Sequence, residues 1–262
     1  MADWIDFEQN CTDYLRCKFG QYANFKYKGG RDSTTSDIHV HTTNGKKFFI
    51  EAKKCPAQSG QFVLLPDTST RTFKYSDSNA AQKNDFSAAI IAHMNNYFDE
   101  YRDSGTKGRD INIENGNSIF TSWIIQYYKI KGVKFVITNN NILLPVEDFA
   151  CFFKATATYR IKRSGSSNVA KANVDAVKDY LTGNCDITSS YFKDKKLFIT
   201  SKYKLDKERF FVGDNEYMIS ERGSVYEIRK LSDTFNANVI FSIDLIPGKQ
   251  GLSDTEFISF LK

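Results

Sequence analysis

The stretch SDIHVHTTNGKKFFIEAKK, residues 36–54, holds three side chains whose types and spacing could serve phosphoryl chemistry. Glu51 and Lys53 are two apart, so on a β-strand they share one face while Ala52 points to the other. Thirteen residues lie between Asp37 and Glu51, and the Asn44-Gly45 pair between them is a strong hairpin signal. A hairpin would lay Asp37 on a strand beside Glu51. Whether the two stand opposite each other depends on register, which the sequence leaves open. Two close carboxylates form a hard-oxygen site for Mg²⁺, with Mn²⁺ as a natural substitute. Such a cation stabilises charge on phosphoryl oxygens and lowers the pKa of a bound water. The Lys53 ammonium could orient that water or offset charge in the transition state. The backbone carbonyl of Ala52 is a further candidate ligand. The bland alternative is a half-exposed strand carrying Glu and Lys on its wet face, which is common in lysine-rich chains.

The elements that must position these groups are legible in outline. Residues 3–18 show helical spacing of Trp4, Phe7, Cys11 and Leu15, with Asp3 as a cap. Strands are expected at 36–42, 46–54 and 61–65, and helices at 80–102 and 118–131. GVKFVIT, 132–138, reads as a buried strand entered through Gly132. A short helix at 146–154, a strand at 155–162, a polar loop at 163–170 and a helix at 171–182 follow. The remainder is strand-rich, with a turn at 221–224 and a strand at 238–244. This order predicts a mixed α/β (α+β) fold, a central mixed sheet flanked by helices with a β-rich C-terminal part. One domain is expected over 1–262, its catalytic core mainly in 1–150 and its recognition elements mainly in 151–262.

Composition narrows the class. The chain has 262 residues, 41% of them hydrophobic and 15% aromatic, enough for a sizeable core. The net charge of +5 is a mild bias toward anionic partners, equally compatible with an ordinary solvated surface. The five cysteines are odd in number and lack zinc-knuckle or redox spacing, so reduced thiols are expected, with Cys11 in the core. No apolar run approaches ~20 residues and the first residues lack a signal-peptide pattern, so a cytoplasmic location is expected.

The Asp, Glu-Ala-Lys pattern resembles the PD-(D/E)XK nuclease superfamily, with Ser36 where the name has proline. Longer segments resemble the HhaI-like type II restriction endonucleases within it. These are WIDFEQNCTDYL at 4–15, STTSDI at 33–38, EAK at 51–53, GQFVLLP at 60–66, GVKFVIT at 132–138, TYRIKRSGS at 158–166 and LSDTFNANVIFSI at 231–243. They run through most of the chain in order; residues 183–230 resemble the family least. The resemblance implies a PD-(D/E)XK restriction-endonuclease-like fold and Mg²⁺-dependent cleavage of double-stranded DNA. It further implies a GCGC target cut before the last base, and a cognate DNA methyltransferase as functional partner.

Further residues are candidates with an alternative beside each. Glu8 is either an accessory metal carboxylate or a solvated helix residue. Gln61 could hydrogen-bond the attacking water or a phosphate, with Gly60 allowing backbone to approach DNA, or be an ordinary strand-end residue. His39 and His41 could join Asp37 in a zinc site, but solvent-side strand residues account for them better. TYRIKRSGSSN supplies the DNA-reading candidates Arg160, Lys162, Arg163, Ser164 and Ser166. Arginine presents a fork to guanine, and hydroxyls and amides suit phosphates. The alternative is an edge strand with surface charges. Asn236 and Asn238 could read bases or be turn residues before the last strand.

Overall fold

The computed structural model describes residues 3–29 and 35–262. The expected capping by Asp3 and the residues 33–34 of the STTSDI segment lie outside what is described. Chain contacts divide the molecule into two compact units, one formed by residues up to Ile161 with Ala237–Lys262, the other by Lys162–Asn236.

The first unit holds α1 (Asp3–Phe19), β1 (Ala23–Tyr27), β2 (Ile38–Thr42), β3 (Lys47–Lys53), β4 (Ala57–Asp67) and β5 (Thr72–Tyr75). There follow α2 (Asp85–Asn96), α3 (Phe98–Arg102), β6 (Arg109–Asp110), α4 (Gly116–Ile130), β7 (Val133–Thr138), β8 (Ile142–Pro145), α5 (Phe149–Phe152) and β9 (Phe153–Arg163). In the second unit lie β10 (Ser166–Asn168), α6 (Val174–Asn184), β11 (Ile187–Lys193), β12 (Lys196–Ser201), β13 (Arg209–Val212), β14 (Asn215–Arg222) and β15 (Val225–Leu231). The chain closes with β16 (Phe235–Leu245) and α7 (Asp254–Leu261). The fold is mixed α+β, as the order of elements predicts.

Sheet order β1-β2-β3-β7-β8 positions the site. β2 and β3 form the expected antiparallel hairpin, with Ile38 opposite Ile50 and Val40 opposite Phe48. Gly45 takes the turn at φ +89°, a conformation that favours glycine. β7 runs parallel to β3, with Val136 beside Glu51 and Ile137 beside Ala52. A parallel neighbour needs a long crossover, and the chain between β3 and β7 includes α4. Alternation along β3 then decides what each residue does. Phe48, Ile50 and Ala52 enter an apolar cluster with Cys11, Leu15 and Phe257 from α1 and α7. Phe49 packs toward a second cluster containing Trp123, Ile124 and Tyr128 of α4. Glu51 and Lys53 follow Phe49 on that face.

A further sheet, β5-β4-β16-β9-β6, completes this unit and packs its apolar face in the second cluster. The other unit has its own sheet, β11-β12-β15-β14-β13 with β10 added to β15, and its own core around Val177, Leu197, Ile219 and Ile228.

Several expectations need correction. The helix expected over 80–102 is two helices, because the chain leaves helical geometry at Tyr97 (φ −118°, ψ 38°). The expected loop at 163–170 contains β10, which gains its pairing from β15. Trp4 is 42% exposed, so the apolar stripe of α1 reaches the core through Cys11 and Leu15 instead. All five cysteines are free, with Cys11 buried as expected. Among the described residues, no helix is long and apolar enough to cross a membrane.

Candidate active site

The hairpin register answers the question that spacing left open. Pairing ends with Ile38 opposite Ile50, and one step further sets Asp37 against Glu51. The Ala52 N–H donates to Asp37 Oδ2 at 2.9 Å, fixing that carboxylate where the strands part. Lys28 and Gly29 N–H groups both donate to the Asp37 carbonyl, at 2.8 and 3.0 Å, and anchor its backbone. Lys53 Nζ lies 2.9 Å from Glu51 Oε2 and 3.5 Å from Asp37 Oδ2. The three residues proposed from spacing therefore form one contiguous group.

Its electrostatics follow from burial. Asp37 and Glu51 are both buried. Burial pushes the Asp37 carboxyl up to about 6; Lys53 opposes the shift and the Glu51 charge reinforces it. For Glu51 burial also opposes ionisation, but Lys53 and Lys131 outweigh it and hold the acid below its ordinary value. The Lys53 ammonium is likewise disfavoured by burial, and the charge of Glu51 more than compensates, holding its pKa well above normal.

Glu8 is buried rather than solvated. Tyr27 donates its hydroxyl to Glu8 Oε2 at 3.1 Å. Burial, then the negative charge of Asp37, push the Glu8 carboxyl up to about 7. A Cβ at residue 29 would collide with the Glu8 carboxylate, so Gly29 makes room for it. Glu8, Asp37, Glu51, Lys53 and Gln61 line one cleft of about 490 Å³. Within it Gln58 Nε2 donates to Gln61 Oε1 at 3.3 Å. Gly60 lines the same cleft. Its φ is +113°, and a Cβ there would stand 2.8 Å from the Trp123 ring, so the glycine lets β4 lie against α4.

The donor set suits a hard divalent cation. It offers the Asp37 and Glu51 carboxylates, and burial first, then neighbouring carboxylate charge, raise both Asp37 and Glu8. Mg²⁺ characteristically takes one or two carboxylates and keeps water. Among the described residues, no group of three or more His, Cys, Asp or Glu side chains is arranged to hold a metal ion. Glu8 lines the same cleft as the pair. The half-buried His39 ring packs tilted against Phe49, with centroids 4.4 Å apart, and His41 is exposed.

No protein-family model matches the chain, and no curated protein does. Among solved structures, HhaI endonuclease in complex with DNA matches with a TM-score of 0.72 and 36% sequence identity, covering 99% of this chain and 98% of that one. The chain belongs to the HhaI-like type II restriction endonucleases.

Arg160 is half-buried on β9, and Lys162 is exposed two residues on. β9 ends at Arg163, so Ser164 leaves the strand face that Arg160 and Lys162 share. Ser164 instead meets the hydroxyls of Ser232, at 2.9 Å, and Thr234. The Arg163 fork is engaged inside its own unit, pairing with Glu216, donating to the Ser232 carbonyl at 3.2 Å and covering the Phe235 ring. Ser166 receives two bonds from Arg229, on its hydroxyl at 3.2 Å and its carbonyl at 2.8 Å. Ser164 and Ser166 line a shallow hydroxyl-rich recess with Ser167, Lys230, Ser232 and Thr234. Asn236 and Asn238 are strand residues of β16, not a turn. Asn236 is exposed, whereas Asn238 is buried with its Oδ1 unpartnered among the described residues.

Two functional-site residues have no counterpart in the sequence reading. Lys131 reaches Glu51 Oε1 at 3.2 Å. Tyr128, fully buried, shares a 2.6 Å hydrogen bond with Ser59 behind the cluster. The signal for Lys131 was its place immediately before the GVKFVIT segment, but only the parallel pairing of that strand with β3 gives the place meaning.

Proposed function

We propose that the chain is a PD-(D/E)XK-type endonuclease that hydrolyses phosphodiester bonds of double-stranded DNA at a specific sequence. Asp37, Glu51 and Lys53 form its reacting centre. The observation that supports it most is the convergence of these three side chains where β2 and β3 part, in a chain sharing fold and over a third of its sequence with HhaI endonuclease.

Asp37, Glu51 and the Ala52 carbonyl would hold Mg²⁺, or Mn²⁺ in its place. When bound, the cation would supply charge for the phosphoryl oxygens and an acidified water. Lys53, held by both carboxylates, presents an ammonium to the same cleft and offsets charge gained by the phosphoryl group. Gln61, at the cleft wall, would orient water or a phosphate oxygen. Glu8, with its carboxyl held near neutrality, is an accessory group that can accept or release a proton beside Asp37.

The reading of DNA falls to Arg160, Lys162 and the hydroxyl recess at Ser164 and Ser166, with Asn236 and Asn238 as candidates on β16. Arg163, tied to Glu216, shapes that surface. The target we propose is GCGC, cut before its last base, in a cytoplasmic restriction system whose methyltransferase protects the same site.

Mapping cleavage ends on a sequenced plasmid in Mg²⁺ tests this directly. Discrete fragments with ends inside GCGC are expected. Fragments ending at another fixed sequence would refute the target, non-specific or junction-directed cutting would refute the restriction reading, and no cutting would leave a DNA-binding module. Glu51→Gln should abolish cutting while keeping specific binding.

A further inference from the structure

Lys131 ends the run of α4 and precedes Gly132, the entrance to β7. Its Nζ lies 3.2 Å from Glu51 Oε1, while Lys53 occupies Glu51 Oε2 at 2.9 Å. Both oxygens of the carboxylate are thus taken by different ammonium groups. The Lys131 side chain is as sheltered as that of Lys53, each 16% exposed. Its direction is set from behind as well. Nζ lies 5.4 Å from the centre of the Tyr127 ring, and that ring stacks on buried Trp123 at 5.1 Å. The partial negative charge of a helix C-terminus also favours a cation there. Lys131 lines the same cleft as Asp37, Glu51 and Lys53.

An ammonium placed this way is more than a surface ion pair. The charges of Asp37 and Glu51 are matched one for one by Lys53 and Lys131, so the acidic pair is already neutralised by the chain itself. A divalent cation arriving at Glu51 meets an internal competitor on Oε1. Once that cation and one phosphodiester are present, the cluster carries a single excess positive charge. That is the complement of the negative charge a phosphoryl group gains on attack.

We propose that Lys131 is a second cationic residue of the active centre. It holds the Glu51 carboxylate oriented through Oε1, and with a cation on Glu51 its ammonium would be left to offset charge gained by the scissile phosphate. The inference rests on the reading of Asp37 and Glu51 as metal ligands, and it predicts opposite effects on two measurements. Lys131→Met should bind Mn²⁺ about tenfold more tightly in the absence of DNA, because a like charge beside the ligand is gone. The same variant should cleave roughly a hundredfold more slowly in a single turnover at saturating Mg²⁺. Lys131→Arg should restore both toward wild type.

The experiment is calorimetric Mn²⁺ titration of the intact, DNA-free protein alongside single-turnover cleavage, for wild type, Lys131→Met, Lys131→Arg and Glu51→Gln. Loss of Mn²⁺ binding in Glu51→Gln, with the opposed changes in Lys131→Met, supports the proposal. If Glu51→Gln loses Mn²⁺ but Lys131→Met binds and cleaves as wild type does, the inference about Lys131 fails while the metal-site reading stands. If Lys131→Met loses both binding and cleavage together with thermal stability, Lys131 is a structural tether of α4 and the proposal is overturned. If Glu51→Gln binds Mn²⁺ as tightly as wild type, the metal-site reading itself is wrong.

Discussion

Asp37→Asn separates what the acidic centre contributes to function from what it does to stability. The Asp37 carboxyl is buried and its pKa stands at about 6 against an ordinary value of 3.8. A folded-state pKa above the unfolded one means the native protein binds the proton more tightly. The stability contributed by this group is therefore greatest below about pH 4 and falls as pH rises through about 6. A rise of this size corresponds to roughly 3 kcal/mol of native-state stability lost by pH 8, since one pKa unit is about 1.4 kcal/mol. Asparagine keeps the shape and can still accept the Ala52 N–H bond, but carries no charge. In EDTA at pH 8, Asp37→Asn should therefore be more stable than wild type by about 1–3 kcal/mol, which is several degrees in melting temperature for a chain of this size. The gap should close by pH 4. Mg²⁺ should raise the melting temperature of wild type and leave the variant nearly unmoved, because binding to the native state alone stabilises it. Cleavage should be lost. Calorimetric melting in EDTA and in Mg²⁺ at pH 4, 6 and 8 measures all of this. A variant less stable than wild type at pH 8 in EDTA, or one stabilised equally by Mg²⁺, would refute the argument.

Other perturbations follow from single contacts. Lys53→Ala should slow single-turnover cleavage by about a hundredfold, while its loss from the buried Glu51 pair also lowers the melting temperature; unchanged cleavage would make Lys53 a strand residue only. Gly60→Ala places a Cβ 2.8 Å from Trp123 at φ +113°, so denaturant unfolding should show a loss of about 1–3 kcal/mol. Glu227, buried and bonded to Arg222 and Arg229, has its pKa held below normal despite burial. A depressed carboxylate contributes stability above its unfolded pKa and loses it as pH falls through the folded one, so Glu227→Gln should weaken the protein at pH 7 and flatten the acid limb of its stability profile. Arg160→Ala and Lys162→Ala should be compared on cognate and single-mismatch duplexes across salt: a base-reading Arg160 costs about 1–3 kcal/mol at one position, whereas a phosphate-binding Lys162 lowers the salt slope by about one.

Where local rules and tertiary structure agree, the sequence was readable. The Asn-Gly turn and the two-residue period of FFIEAK place Glu51 and Lys53 on one face and Ala52 in the core, because strand alternation allows nothing else once the hairpin forms. The register that sets Asp37 against Glu51 was not readable, since it depends on which faces of β2 and β3 the core accepts. Burial of Ile38, Val40, Phe48 and Ile50 together decides it. Glu8 was left open between an accessory carboxylate and a solvated helix residue, and Lys131 was beyond local reading, each for a different reason. Glu8 counts as an ordinary polar helix position until the glycine at 29 opens space for its carboxylate. Lys131 counts as a helix-end lysine until β7 pairs parallel to β3 and carries the end of α4 to Glu51. Arg163 shows a different effect of folding, for its guanidinium suits a base edge and here has Glu216 and Ser232 as partners. Residue type states what a group can bind, and the competing partners that folding supplies decide whether it is still available to bind it. In the cleft at Asp37 the two acids keep two lysines as partners, whereas the Arg163 fork is engaged by Glu216 and Ser232.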